Sequence, residues 1–272
     1  MTLTIDKMRN QIFCCDCIEA MAQMPSHSID MVLCDLPYGV THNYWDLPIP
    51  LDDLWEQYRR VTKHNAAIVL TATQPFASQL IASNTEMFRY DLIWEKNRPT
   101  GFLNSKRMPL RSHESILVFY RALPTYNPQK TKGHKPLNSY TKYRGDGTNY
   151  GKTGISAGGG QTERLPTSIL RVPVVNNDTG ERVHPTQKPV ELFEYLIMTY
   201  TNPGELVLDN CMGGGTTPIA CLSTGRDFVG IELHQEFFDS ASRRIDLWRK
   251  QNNVLGTENK YHVLSAGEQT RT

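Results

Sequence analysis

Short apolar runs rich in β-branched residues alternate with amphipathic segments along most of this chain, and that rhythm restricts its fold more than any other feature. Strand-like runs fall at QIFCC (11–15), DMVLCDLP (30–37), AAIVLTAT (66–73), YDLIWEK (90–96), SILVFY (115–120), ELVLDN (205–210) and DFVGIEL (227–233). Segments with helical apolar spacing lie between them at 17–24, 51–63, 75–83, 189–200, 217–224 and 235–250. This alternation predicts an α/β fold: a doubly wound, mostly parallel seven-stranded sheet with helices on both faces. A chain of 272 residues can bury one large core of this kind and still carry a smaller element. No stretch approaches the roughly 20 apolar residues that a spanning helix needs, so no membrane segment is expected. The start, MTLTIDKMRN, lacks a basic end followed by an apolar run, and a cytoplasmic location is expected.

Residues 121–182 break the rhythm. Gly, Pro, Asn, Thr and Tyr dominate there, and no apolar period is sustained, as in an insertion or loop region. The segment holds ten Lys and Arg against four Asp and Glu, a net +6; since the whole chain is +1, the rest carries −5. A positive segment on an acidic body suits a local phosphate-binding surface, although a solvated loop would look the same. The glycines at 158–160 are not followed by Gly-Lys-Ser/Thr and do not read as a phosphate loop. Six cysteines (14, 15, 17, 34, 211 and 221) fall mostly within apolar runs and read as buried, reduced thiols. The CCDC cluster at 14–17 has no matching Cys/His pair at zinc-like spacing, so no metal is expected.

Two motifs carry chemistry. LCDLPYG (33–39) stands where a buried strand ends in a Pro-containing turn, and in open α/β sheets ligands collect outside the carboxyl ends of strands. Pro37 biases Leu36 away from helical geometry, so the Leu36 carbonyl can point outward beside the Asp35 carboxylate. Two adjacent acceptors suit an amino group on a base, whose lone pair is otherwise spread into the ring. Tyr38 offers a flat face for a base swung out of a helix. A turn in which Asp35 caps backbone and Tyr38 covers the core is the plainer alternative. The second motif, ELVLDNCMGGGTTPIACLSTGRDFVGIEL (205–233), reads as strand, glycine-rich turn, helix and strand, with an acidic residue at the end. Gly213, Gly214 and Gly215 allow close backbone approach, and the next helix presents free N–H groups. Glu232, 23 residues after Asp209, stands where an acidic residue accepts from ribose hydroxyls. A dinucleotide or an adenosyl cofactor is compatible with this half. The glycine spacing does not match G-x-G-x-x-G, and Asp209 suits a cofactor ammonium such as that of S-adenosylmethionine.

These motifs, in this order, resemble the amino-methyltransferases of DNA, whose catalytic Asp/Asn/Ser-Pro-Pro-Tyr/Phe motif is followed by a separate cofactor motif. The order resembles the β group. HPTQKPVEL (184–192) is similar to the group's segment that helps hold the methionine end of the cofactor, which implies cofactor contacts for Thr186 and Lys188. FCCDCIEAM is similar to the segment that meets the cofactor's adenine, which makes Asp16 a candidate. The resemblance implies a Rossmann-like methyltransferase fold in permuted order, with a catalytic half at 1–120, a target-recognition region at 121–182 and a cofactor half at 183–272. It implies a catalytic set of Asp35, Leu36, Pro37 and Tyr38 and a cofactor set of Asp16, Thr186, Lys188, Asp209, Cys211, Gly213, Gly215, Thr216 and Glu232. Lys130, Lys132, Lys135, Lys142, Arg144 and Lys152 are the candidate DNA contacts. Leu36 departs from the motif's first proline; the carbonyl survives the change and some rigidity is lost.

Adenine-N6 methylation of double-stranded DNA with base flipping is the function this implies, because Asp at the first motif position resembles adenine-modifying members. N4-cytosine methylation, methylation of a protein glutamine amide or of RNA, and a degenerate DNA-binding subunit remain alternatives. A homodimer and a companion restriction endonuclease are expectations by family analogy. The loop THNYWDLP (41–48) is either a lid on the flipped base or core packing through Tyr44 and Trp45. His113 and Glu114 read as buried, paired polar groups rather than catalysts, and His184 as a residue that fixes a loop.

Overall fold

The structure is a computed structural model that describes residues 4–39, 43–44, 46–142, 156–175, 187–252 and 262–263. It comprises two compact units, one of residues 1–127 with 168–272 and one of residues 128–167.

In the larger unit the chain runs α1 (Ile5–Met8), β1 (Gln11–Cys14), α2 (Cys17–Ala22), β2 (Ile29–Cys34), α3 (Leu51–Val61), β3 (Thr62–Ala72), α4 (Phe76–Ser83), β4 (Phe88–Thr100) and β5 (Arg111–Phe119). The smaller unit contributes β6 (Tyr140–Lys142) and β7 (Ser156–Gly158). The larger unit then resumes with β8 (Ile169–Arg171), α5 (Val190–Tyr200), β9 (Leu206–Asp209), α6 (Thr216–Thr224), β10 (Asp227–Glu232), α7 (Gln235–Gln251) and β11 (His262–Val263).

The sheet order is β11-β1-β10-β9-β2-β3-β5-β4-β8. Neighbours are parallel from β11 to β3 and again at β4–β8, and antiparallel at β3–β5 and β5–β4. All seven expected strands are present, and two short ones are added at the edges. Successive residues of the central strands serve opposite faces, as the period of two demands. Val32, Cys34, Ile68, Leu70, Leu117 and Phe119 pack beneath α2, α3 and α4, whereas Met31, Leu33, Ala67, Val69, Ile116 and Val118 pack beneath α5, α6 and α7. Both faces are therefore apolar, which is why these strands read as unbroken hydrophobic runs.

From β2 the chain winds outward to β3, and from β9 it winds the other way to β10, so the switch point of the sheet lies between β2 and β9. These strands pair in register Met31–Val207 and Val32–Leu208. Their carboxyl ends, and the motifs that follow them, therefore leave the sheet side by side.

The stretch 121–182 is not uniform. Asn127 is tied to the end of α5: its amide N–H donates to the Thr199 carbonyl at 2.8 Å and its side chain to the Thr201 carbonyl at 3.0 Å. Ile169–Arg171 joins the large sheet against β4, although a three-residue strand with only its central residue buried leaves no period to read. In the smaller unit, β6 and β7 pair antiparallel and Thr131 bridges Arg164.

Candidate active site

The two motifs border one cavity of about 730 Å³ at the switch point, inside the range typical of small-molecule sites. Its wall includes Asp35, Leu36, Pro37 and Tyr38 from the turn after β2, and Asp209, Cys211, Gly213, Gly214 and Thr216 from the turn after β9. Asp16, Lys188 and Glu232 complete that side.

Asp35 is the hub of the first turn. Its Oδ1 accepts from the Tyr38 hydroxyl at 2.6 Å and from the Thr71 hydroxyl, and its Oδ2 pairs with the Lys188 ammonium at 2.5 Å. The Tyr38 ring stacks on Phe76 with centroids 5.4 Å apart, and Lys188 Nζ lies 5.8 Å from the Tyr38 ring centroid. Burial, reinforced by the Asp35 charge, pushes the Tyr38 hydroxyl well above its ordinary pKa, so it serves as a donor. The Leu36 side chain is buried in the core formed with α2, α3 and α4.

A chain of alternating charge extends from Asp35. Lys188 Nζ lies 3.4 Å from Glu114 Oε2, and Glu114 Oε1 pairs with Lys96. Burial disfavours the charged forms of both Glu114 and Lys188, but opposite charges outweigh it: the Glu114 pKa falls and the Lys188 pKa rises. Glu114 is thus a paired, nearly buried group as its sequence context suggested, whereas His113 is exposed. Lys188, linked by resemblance to the cofactor, has its ammonium on the Asp35 carboxylate instead. Thr71 and Phe76 contact the Asp35–Tyr38 turn, and Lys96 and Glu114 line the cavity; of these four, the sequence pointed only to Glu114, as a buried, paired group. They stand on β3, α4, β4 and β5, and no local motif marks Thr71, Phe76 or Lys96.

The glycine turn is held by acids rather than left open. Gly215 adopts φ +75° and its added Cβ would lie 3.2 Å from Ala241 Cβ, so this position combines a left-handed backbone with close packing against α7. Glu232 accepts from Gly213 N–H at 2.9 Å and His234 N–H at 3.0 Å. Asp209 accepts from Cys211 N–H at 3.1 Å and from the Thr217 hydroxyl. Burial raises the Asp209 pKa to about 7, the hydrogen bonds offsetting only part of it, and burial raises Glu232 too. Arg244 of α7 donates to the Gly214 carbonyl at 2.8 Å, and the Thr216 hydroxyl donates to the Lys188 carbonyl at 3.3 Å. The second contact links the glycine turn to the segment that carries Lys188.

Asp16 caps α2, accepting from the N–H groups of Ile18 at 2.8 Å and Glu19 at 3.0 Å, and remains exposed at the cavity edge. The six cysteines are free thiols, but they are not uniformly buried: Cys15 and Cys211 are half-buried and line the cavity with Cys17. The Cys17 thiol is held below its ordinary pKa, chiefly by its hydrogen bond with Cys211. Tyr44 is not core packing; it is 61% exposed and meets the His234 ring edge-on at 5.2 Å. Trp45, Thr186 and His184 lie outside the described residues. So do Arg144, Lys152 and the side chain of Lys142. Lys130, Lys132 and Lys135 are exposed in the smaller unit, where Glu163 pairs with Lys130 at 3.3 Å and Lys132 at 4.0 Å.

Comparison with known proteins agrees with this geometry. The chain is 24% identical to the DNA adenine methyltransferase YhdJ of Escherichia coli (strain K12), an alignment covering 85% of this chain and 81% of that protein. The M1.HpyAVI–SAM complex has a similar fold, with a TM-score of 0.58 and 24% identity over 87% of this chain and 98% of that one. The cytosine-N4-specific PvuII DNA methyltransferase has a TM-score of 0.60 at 15% identity, over 89% and 92% of the two chains. A family model described as DNA methylase, N6_N4_Mtase, matches residues 29–243, a span that contains the Asp35 turn, the glycine turn and every strand between them. With most of its length matched and both motifs opening into one cavity, the chain belongs to the N6/N4 family of DNA methylases.

Proposed function

We propose that this protein transfers a methyl group from S-adenosylmethionine to the N6 amino group of adenine in duplex DNA, with the target base rotated into the cavity beside Asp35. The observation that carries the reading is the shared cavity: a carboxylate suited to an amine and a glycine turn suited to an adenosyl cofactor form its wall together. Asp at the first motif position and the adenine-specific relative favour adenine.

The residues present fit the cofactor. Asp16 and Glu232 offer acceptors to its adenosine part, Asp209 suits its ammonium, and the N–H groups of Gly214 and Thr216 at the start of α6 suit its carboxylate. When bound, the cofactor supplies an electrophilic methyl group on a sulfonium. Asp35 accepts a hydrogen bond from the base amine, draws electron density onto nitrogen and takes the surplus proton. The Leu36 carbonyl accepts from the second N–H. Lys188 and Glu114 keep the buried charges balanced while Asp35 remains an acceptor.

Asp35 Oδ1 already accepts from two hydroxyls, those of Tyr38 and Thr71, so an amine arriving at that oxygen takes the place of one of them. Tyr38 is the donor whose ring stands on the cavity wall, and its hydroxyl yields, freeing the ring to stack on the base. Incubation with tritiated S-adenosylmethionine and unmethylated genomic DNA, followed by nucleoside analysis, tests the reading. N6-methyladenine is expected; N4-methylcytosine would overturn the choice of base, and labelled protein or RNA without labelled DNA would overturn the substrate.

A further inference from the structure

The connection from β4 to β5 stands out from the rest of the described surface. Thr100 pairs with Arg111 at its base, and a single 3-10 turn, Phe102–Asn104, lies in its tip. Phe102 is 78% exposed and Leu103 97% exposed, with Met108 and Leu110 also turned to water. Between residues 98 and 111 the chain carries Arg98, Lys106, Arg107 and Arg111 and no acidic residue. Arg98, Pro99, Thr100 and Arg111 line the same cavity as Asp35, so the exposed tip rises directly from the rim of the candidate active site.

Large apolar side chains at a loop tip cost free energy in water, at about 25 cal/mol per Å² left uncovered, and a cluster of them marks an interaction surface. Four cations around that cluster select the occupant: it must be apolar at its centre and negatively charged at its edges. A base stack flanked by phosphates has this pattern, and apolar wedges pushed between base steps are a recurrent way of opening a duplex. We infer that the β4–β5 hairpin is the DNA-opening element of this protein. Phe102 and Leu103 enter the stack where the target base leaves it, and the surrounding cations hold the neighbouring phosphates. The inference rests on the proposed base-flipping reaction, and it assigns to this hairpin a task other than the phosphate binding read for the basic stretch 121–182.

The test uses the full chain and a short duplex carrying a sequence that the wild-type protein methylates, identified by sequencing treated genomic DNA. In the double variant Phe102→Ser/Leu103→Ser, the melting temperature and cofactor affinity should be unchanged, because both side chains are solvent-exposed. Methyl transfer to the paired duplex should fall about tenfold or more, and should return to within about threefold of wild type when the base opposite the target is removed, because an unpaired target costs little to extrude. Lys106→Ala/Arg107→Ala should weaken duplex binding and flatten its dependence on salt by about one unit of slope for each phosphate no longer neutralised.

Undiminished transfer by the serine variant, or a loss that the unpaired target does not relieve, would overturn the assignment. A wild-type dimer that the serine variant dissociates, with transfer lost on both duplexes, would hand the tip to a second copy of the chain. If the wild-type protein methylates no DNA at all, the functional reading falls and takes this inference with it, an outcome distinct from failure of the variants alone.

Discussion

The Lys188 ammonium lies 2.5 Å from Asp35 Oδ2 and 3.4 Å from Glu114 Oε2, so one buried cation bridges the carboxylate that follows β2 and a carboxylate of β5. Its position makes Asp35 a charged group balanced by its surroundings rather than an isolated one. Asp35→Asn keeps the volume and one acceptor but removes that charge. Methyl transfer is expected to fall about 10²–10⁴-fold, the range for loss of a positioned proton acceptor, while cofactor affinity stays near wild type. Calorimetry with S-adenosylmethionine alongside a single-turnover transfer assay checks both halves, and equal loss of binding and transfer would make Asp35 structural.

Tyr38 separates two roles within one side chain. If its hydroxyl only occupies the site that the base amine takes, Tyr38→Phe should transfer methyl groups at least as fast as wild type. Tyr38→Ala removes the stacking face and should cost about 1–3 kcal/mol of transition-state stabilisation, read as kcat/KM for DNA. A large loss in the Phe variant would show instead that the hydroxyl acts in the reaction.

Asp209 confers a pH dependence whose sign follows from burial. Its pKa is raised from an ordinary 3.8 to about 7, so folding favours the protonated form. The stability this contributes is fully present below about pH 4 and is lost as pH rises through about 7. A cofactor ammonium favours the ionised form, so cofactor binding should tighten as pH rises toward 7 and release a proton. Calorimetry at about pH 6 in two buffers of different ionisation enthalpy measures that proton. Asp209→Asn should abolish its release; unchanged release in that variant would place the coupling elsewhere.

Gly215 and Gly225 flank α6 with nearly the same backbone, φ +75° and +71°, but only Gly215 has Ala241 and Ile245 against its missing side chain. Alanine at either position should cost about 1–2 kcal/mol from the left-handed conformation. Gly215→Ala should lose more, because α7 must shift, and should also weaken cofactor binding. Thermal melts of the two variants measure the difference, and equal melting temperatures would show that the packing against α7 relaxes without cost.

The sequence was most legible where chemistry and periodicity are local. Central strands such as 30–34 and 66–72 announced themselves because both faces are buried, and the Asp35 and Gly213–Gly215 turns because their residue types are unusual at strand ends. The edge strand at Ile169–Arg171 was not legible, since one buried residue in three makes no pattern. Lys96 and Thr71 were not legible as site residues either: each reads as an ordinary strand residue, and what matters is what stands opposite. Glu114 was legible as a buried, paired group, but not which partners it meets.

By itself the sequence determined the elements, the reactive groups and their order along the chain, because hydrophobic spacing and turn chemistry act over a few residues. Only the tertiary structure decided which groups meet. Placing β9 beside β2 brings together motifs more than 170 residues apart. The antiparallel return of β5 beside β3 adds Glu114 and, through Lys188, completes the charge balance around Asp35. Strand order is set by the packing of the whole core, and no window of sequence contains it.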